Sequence, residues 1–332
     1  MRRLAALLLC VTVLGGACSG DDDEATSAGS AGETSADDRR LPPVKLSASV
    51  ASYDLAIGPE GRFMVGVFDN ERGPVGFGTV DLSFFYFGAQ PAEGAQAEPG
   101  PSTLATYLPI PGFRSAEPPF DTARPSFLAS SERGVYQAKV AFDRPGFWKV
   151  QVAAIIDNTP QTAEAAFEVL PEHEVPMPGE PAPRSENLTV STPGAPPAAI
   201  DSRASAEEEI PDPELHQTTV RRAVAEKKPV LLVISTPTFC VSRFCGPITD
   251  MVSDLAKQFG DRAAFVHIEV WEDFEAQKLN PAAAEWIAQG KRTTEPWVFF
   301  IGPDGNIGNR WDNVVSRTDL ELVLSELPSL GV

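Results

Sequence analysis

The chain has 332 residues, 42% of them apolar, with 31 prolines and 26 glycines, enough for two globular domains joined by irregular segments. A formal net charge of −19 argues against binding nucleic acid or anionic lipid headgroups through surface charge. Three histidines and four methionines argue against a His- or Met-rich metal cage, and no metal or cofactor is expected.

Arg2 and Arg3 precede the apolar run LAALLLCVTVL (4–14), which is short for a bilayer span, and Gly15-Gly16-Ala17 supplies the small residues of a cleavage site. Residues 1–17 therefore read as a targeting segment. With Cys18 next and a polar, acidic stretch behind it, this start resembles a bacterial lipoprotein signal. It departs in having Gly15 where a large aliphatic residue is usual. The resemblance implies lipidation of Cys18 and a membrane-anchored protein on the outer face of the cell membrane or in the periplasm. The alternative is a secretory signal cut near Ala17, leaving a free protein. Both imply export to a compartment where disulfides persist. Residues 18–43 hold too little apolar surface to fold and are expected to be a disordered tether.

Over 44–170 the pattern is strand-like. The segments RFMVGVF (62–68), TVDLSFFYF (79–87), GVYQAKVAF (134–142), FWKVQVAAI (147–155) and AAFEVL (165–170) are rich in β-branched and aromatic residues. Gly88 to about Arg133 is rich in Gly and Pro, with one further strand predicted over Thr103–Leu108. Asp143-Arg144-Pro145-Gly146 predicts a type II hairpin turn, because Pro145 presets the first central position and Gly146 tolerates positive φ at the second. About seven short strands without helical periodicity predict an all-β sandwich. The stretch GVYQAKVAFDRPGFWKVQV resembles the end of immunoglobulin-like modules of bacterial exported proteins, some of which bind copper. The resemblance implies the fold only, since 44–170 contains no histidine or cysteine and just Met64.

Residues 171–213 are rich in Pro, Glu, Ala and Ser and predict an extended linker. His173 and Met177 lie in it as a poor soft-metal pair, and Asn187-Leu188-Thr189 matches a glycosylation acceptor that carries no weight behind a bacterial-type signal. From Glu214 the elements alternate: helix LHQTTVRRAVAEKK, apolar strand PVLLVIS (229–235), loop TPTFCVSRFCGP (236–247) and a helix from Pro247 to about Phe259. Strand AAFVHIEVW (263–271), a helix opening at Asn280-Pro281 and closing at Gly290, strands PWVFFIG (296–302) and NIGNRW, and a final helix RTDLELVLSEL follow. His216 is predicted at the surface, His267 as a packed or surface strand residue, and Glu269 with Trp271-Glu272-Asp273 as a solvated acidic edge.

The element order, the FCGP loop at 244–247, Thr294-Glu295-Pro296 and the Pro303-Asp304-Gly305 turn together resemble the thioredoxin fold over about 214–330. Combined with the sandwich, this predicts a multi-domain chain: an N-terminal immunoglobulin-like sandwich (44–170) plus a C-terminal α/β thioredoxin-like fold (214–330). The resemblance implies a cis-proline at Pro296 that, with Glu295, seats the substrate chain, and catalysis by Cys245 with Cys240 as resolving partner. The case for Cys240 is that it lies further out in the loop, where a partner protein would reach it first. The spacing departs from the family, because Ile248 stands at the usual second cysteine and Cys240 lies upstream, giving C-x4-C. Cys245 at a helix start has its thiol pKa lowered from about 8.5, and Arg243 could add to this if it folds inward. Glu295 would act oppositely. The strand before the loop also lacks the buried acid that thioredoxins use.

Three readings follow. The first is a membrane-anchored thiol–disulfide oxidoreductase acting on a protein partner. The second is a non-catalytic binding or scaffold lipoprotein whose Cys240–Cys245 bridge is structural. The third is a peroxidase or copper-delivery protein. Ser242 is correctly placed before Cys245 for a peroxidase, but Pro237 is one residue too far away. His267 is the sole histidine after the cysteines available to copper.

Overall fold

The computed structural model describes residues 45–90, 96–113, 122–128, 132–205, 209–288, 290 and 293–330. The expected signal (1–17), Cys18 and the expected tether (18–43) lie outside the described residues. The chain is mostly β, with a large antiparallel sheet.

Nine strands form the first sheet: β1 (Leu46–Val50), β2 (Gly61–Asp69), β3 (Gly73–Gly76), β4 (Thr79–Gly88), β5 (Glu98–Pro109), β6 (Ser126–Phe127), β7 (Gly134–Val140), β8 (Gly146–Ile156) and β9 (Thr159–Val169). Their order is β6-β3-β2-β7-β5-β4-β8-β9, with β1 also on β2, and every pairing is antiparallel. The cause is period-two patterning. Along β8, Trp148, Val150, Val152, Ala154 and Ile156 turn inward while their neighbours face out. The sheet curls on itself, because Phe63 of β2 meets Phe167 of β9 at 5.3 Å and Phe84 of β4 at 4.9 Å between ring centroids.

One local expectation is corrected here, and the strand over Thr103–Leu108 is borne out. Residues 143–146 do not close a hairpin: β7 bonds to β2 and β5, whereas β8 bonds to β4 and β9. The turn carries the chain across the core, with Phe142 packed on Phe84, Trp148 and Phe167. Local turn chemistry fixes a reversal, but both flanking strands find larger apolar partners elsewhere. Gly146 remains obligatory, since it has φ +129° and an added Cβ would meet the Gly88 carbonyl oxygen at 2.5 Å. Thr103–Leu108 belongs to the longer β5, which pairs with β4 through Thr106 and then with β7 to Pro109.

A second sheet is built from β10 (Val230–Ser235), β11 (Ala264–Glu269), β14 (Trp297–Ile301) and β15 (Ile307–Asp312), in the order β11-β10-β14-β15. β10 runs parallel to β11 and antiparallel to β14, and Gly305 at φ +83° turns β14 into β15. All of β10 is buried. Its Leu231 and Val233 pack with α3 (Cys245–Phe259) and α5 (Arg317–Ser325). Val230, Leu232 and Ile234 pack on the other face with α2 (Val220–Ala225) and α4 (Pro281–Ile287). A ribbon of β12 (Trp271–Asp273) and β13 (Lys278–Leu279) follows β11.

The predicted first helix is split into a 3-10 turn, Pro213–His216, and α2. Thr219 caps α2 by accepting from Arg222 N–H at 3.1 Å, which ends continuity with the turn before it. Asn280 caps α4 as expected, accepting from Ala282 N–H at 3.1 Å.

The extended linker expected over 171–213 is instead packed. Val175, Ala182, Ala199, Ile200 and Ala204 are buried, and a short helix, α1 (Pro197–Ile200), lies within it. The Gly179 and Ala182 amides donate to the carbonyls of Ile307 and Gly305 at 2.8 and 3.0 Å. Proline content masked this, because scattered small apolar residues have no period of their own. Asn187 is buried: its side-chain oxygen accepts from Val220 N–H and its amide donates to the Thr218 carbonyl, so it is not a glycan acceptor.

The two sheets lie within one compact unit, Val44–Val332. Residues 51–54 lace them together. The Tyr53 amide donates to Asp312 Oδ2 at 2.8 Å, Asn313 Nδ2 to the Ala51 carbonyl at 2.8 Å, and Arg310 Nη1 to Asp54 Oδ2 at 2.7 Å.

Candidate functional site

The candidate site is the loop between β10 and α3. Cys240 and Cys245 are joined in a disulfide with Cα atoms 6.0 Å apart. The loop turns through Arg243 at φ +62°, whose amide donates to the Cys240 carbonyl at 3.3 Å. Thr238 holds the near side, its hydroxyl donating to the Ser202 carbonyl at 2.8 Å and its amide donating to Ser202 Oγ at 3.1 Å. Phe239 stacks on Phe274, with centroids 3.9 Å apart.

The two sulfurs are not equivalent. Cys245 is the first residue of α3 and is fully buried, whereas Cys240 is half-buried and Val241 beside it is 92% exposed. The Cys245 amide, at the start of the helix, points at Cys240 Sγ from 3.4 Å, and Ser242 Oγ lies 3.2 Å from the same sulfur. Donors at a helix N-terminus favour a negative charge, so this geometry would stabilise a thiolate on Cys240. Burial sets Cys245 behind Cys240 in the loop. Arg243 is exposed and does not fold inward.

The Glu295–Pro296 peptide is cis. The Glu295 carbonyl accepts from the Tyr53 hydroxyl at 2.8 Å, and that hydroxyl also lies against the Ser242 side chain. Burial, with repulsion from Glu269 second, pushes the Glu295 carboxyl up to about 7. Glu269, expected on a solvated edge, is buried at the end of β11. Burial raises its pKa too, against the nearby His267 and the hydrogen bond from the Ser202 amide. The first sheet reaches the site as well: Phe244 packs with Met64, Ile110, Val135 and Val314, and Gly112 lies against Pro247.

Sequence reasoning missed Tyr53 and Glu269. Tyr53 is remote along the chain and nothing local marks it. Glu269 continues the inward alternation of Phe265 and His267, the one available signal. His216, expected at the surface, is fully buried. His173 is tied into the joint between the sheets, its Nδ1 lying 3.1 Å from Asp54 Oδ2 and 2.9 Å from Arg310 Nη2.

No protein-family model matches the chain, and no curated protein is similar to it in sequence. Among the described residues no helix is long and apolar enough to cross a membrane.

Proposed function

We propose that the protein is a thiol–disulfide oxidoreductase acting on partner proteins outside the cytoplasm, with Cys240 as the attacking residue and Cys245 as the resolving one. The observation that carries this reading is the asymmetry of the pair: a half-buried Cys240 whose sulfur is faced by the α3 amide, and a fully buried Cys245 behind it. In the reduced form the Cys240 thiolate attacks one sulfur of a substrate disulfide. A Cys240–substrate S–S bond forms, the substrate S–S bond breaks, and the second substrate sulfur leaves as a thiolate that takes up a proton. Cys245, deprotonated, then attacks Cys240 Sγ and expels the first substrate sulfur. The substrate ends as a dithiol and the protein as the disulfide, two electrons having passed between them. The same steps run in reverse when a partner dithiol is oxidised.

On this reading residues 214–330 form a thioredoxin-like domain, supported by the β11-β10-β14-β15 order and the cis peptide before Pro296. Residues 44–170 form an immunoglobulin-like module that packs beside the loop. Glu295 and Pro296 flank the substrate seat, although the Glu295 carbonyl is already held by Tyr53. Cys18 carries the lipid anchor, which keeps the protein at the outer face of the membrane. The exposed Val241 gives a protein partner an apolar contact beside the reactive sulfur.

A second reading has its own observation. The packing of the loop's own Phe244 on Met64, Ile110, Val135 and Val314 suits a structural bridge, whose closure stabilises the fold by about 2 kcal/mol in the chain-entropy model. Trapping separates the two. Cys245→Ser should accumulate mixed disulfides with partner proteins and Cys240→Ser should not. A reduction potential below about −300 mV with nothing trapped by either variant marks a structural bridge.

A further inference from the structure

Beside Ser235, three side chains from separate segments converge: Asp201 at the end of α1, His216 in the 3-10 turn and His267 in β11. All are fully buried, and their ligand atoms lie within 4.8 Å of one another. His216 Nε2 is 3.5 Å and His267 Nδ1 3.6 Å from Asp201 Oδ2. These separations are too long for good hydrogen bonds. Among the described residues, both ring nitrogens of His216 and Nδ1 of His267 have no hydrogen-bond partner. Buried polar atoms are rarely left this way.

The other nitrogen of His267 sharpens the point. Nε2 lies 3.0 Å from Ser235 Oγ and 3.2 Å from the Ser235 carbonyl oxygen. A carbonyl only accepts, so Nε2 carries the proton in the neutral ring, and Nδ1 turns a lone pair toward the carboxylate. A lone pair facing an anion in a dry interior is repulsive, and either a second ring proton or a metal cation between them relieves it. Metal–nitrogen and metal–oxygen bonds of about 2.0–2.2 Å at a tetrahedral angle set ligand atoms about 3.3 Å apart, close to both measured separations.

We propose that Asp201, His216 and His267 bind one divalent first-row cation, with zinc the best match to two imidazoles and a carboxylate. Supporting contacts are present. Ser235 fixes the His267 tautomer, its Oγ also lying 2.7 Å from Thr249 Oγ1 in α3. Arg203 donates to both Asp201 oxygens and orients the carboxylate. The cation would clamp residues 197–216 to the second sheet, and three protein ligands leave one position for water.

The test uses the purified full chain, stripped with a chelator and kept oxidised so that thiols cannot ligate. Zn2+ alone is titrated against a competing chromophoric chelator, and bound metal is counted by mass spectrometry. One saturable equivalent is expected. His216→Ala and His267→Ala should each weaken binding by more than about 100-fold, beyond the usual effect of losing a supporting contact. Cys240→Ser/Cys245→Ser should bind as the parent does. If the histidine variants do not fold, ring-nitrogen NMR on the parent decides: Zn2+ should shift His216 Nε2 and His267 Nδ1. No saturable uptake, uptake retained in folded histidine variants, or unshifted ring nitrogens would each overturn the proposal.

Discussion

At the scale of single residues, the two sulfurs of the site differ in burial. Cys245 opens a helix, which from sequence favours it as nucleophile. Burial overrides the dipole, and the helix-start amide serves Cys240 instead. Iodoacetamide should therefore modify Cys240 well before Cys245 in the reduced protein, read by peptide mass spectrometry; equal rates would return the roles to those expected from sequence. Glu295 gives a pH signature. Its carboxyl ordinarily titrates near 4.5 and is pushed up to about 7 in the fold. The native state thus holds this proton more tightly than the unfolded chain. Its contribution is complete below about pH 4.5 and is lost as pH rises through about 7. Glu295→Gln cannot titrate, so the variant should gain in Tm relative to the parent from about pH 5 to about pH 8. A constant difference across that window would contradict the assignment. Tyr53→Phe frees the Glu295 carbonyl and should raise the yield of mixed disulfide in the Cys245→Ser background. An unchanged yield would mean that substrates do not use that carbonyl.

At the scale of elements, the second sheet was the most legible part. β10 reads as a buried strand because every residue from Val230 to Ile234 is aliphatic, and Asn280-Pro281 announces the start of α4 by capping chemistry alone. The first sheet was legible as strands but not as pairings, since the turn at 143–146 is local whereas the partners of β7 and β8 are distant. The joint between the sheets was not legible. Asp54, with a side chain 4% exposed, is held by Arg310, the Glu174 amide and His173, and these contacts outweigh its burial to keep its pKa low. Arg310→Ala leaves that carboxylate short of its main partner and should cost about 3 kcal/mol in chemical denaturation. A loss under about 0.5 kcal/mol would mean the pair behaves as a surface bridge.

At the scale of the molecule, a sandwich and a second domain joined by a flexible linker would unfold in two steps. The structure has 175–204 packed on the second sheet and 51–54 laced to Asp312 and Asn313 within one compact unit. Near-ultraviolet circular dichroism and tryptophan fluorescence should therefore give one coincident denaturant transition. Two separated midpoints would show that the joint is weaker than its contacts indicate.

The sequence by itself determined what local periodicity and chain chemistry can carry: alternating strands, the capped helices, the buried β10 and two cysteines before α3. Tertiary structure alone decided which cysteine is fully buried, that Tyr53 meets Glu295, and that Asp201, His216 and His267 share one buried point. Each of these depends on residues far apart in the chain, brought together by burial of apolar surface, and no local pattern encodes such a meeting.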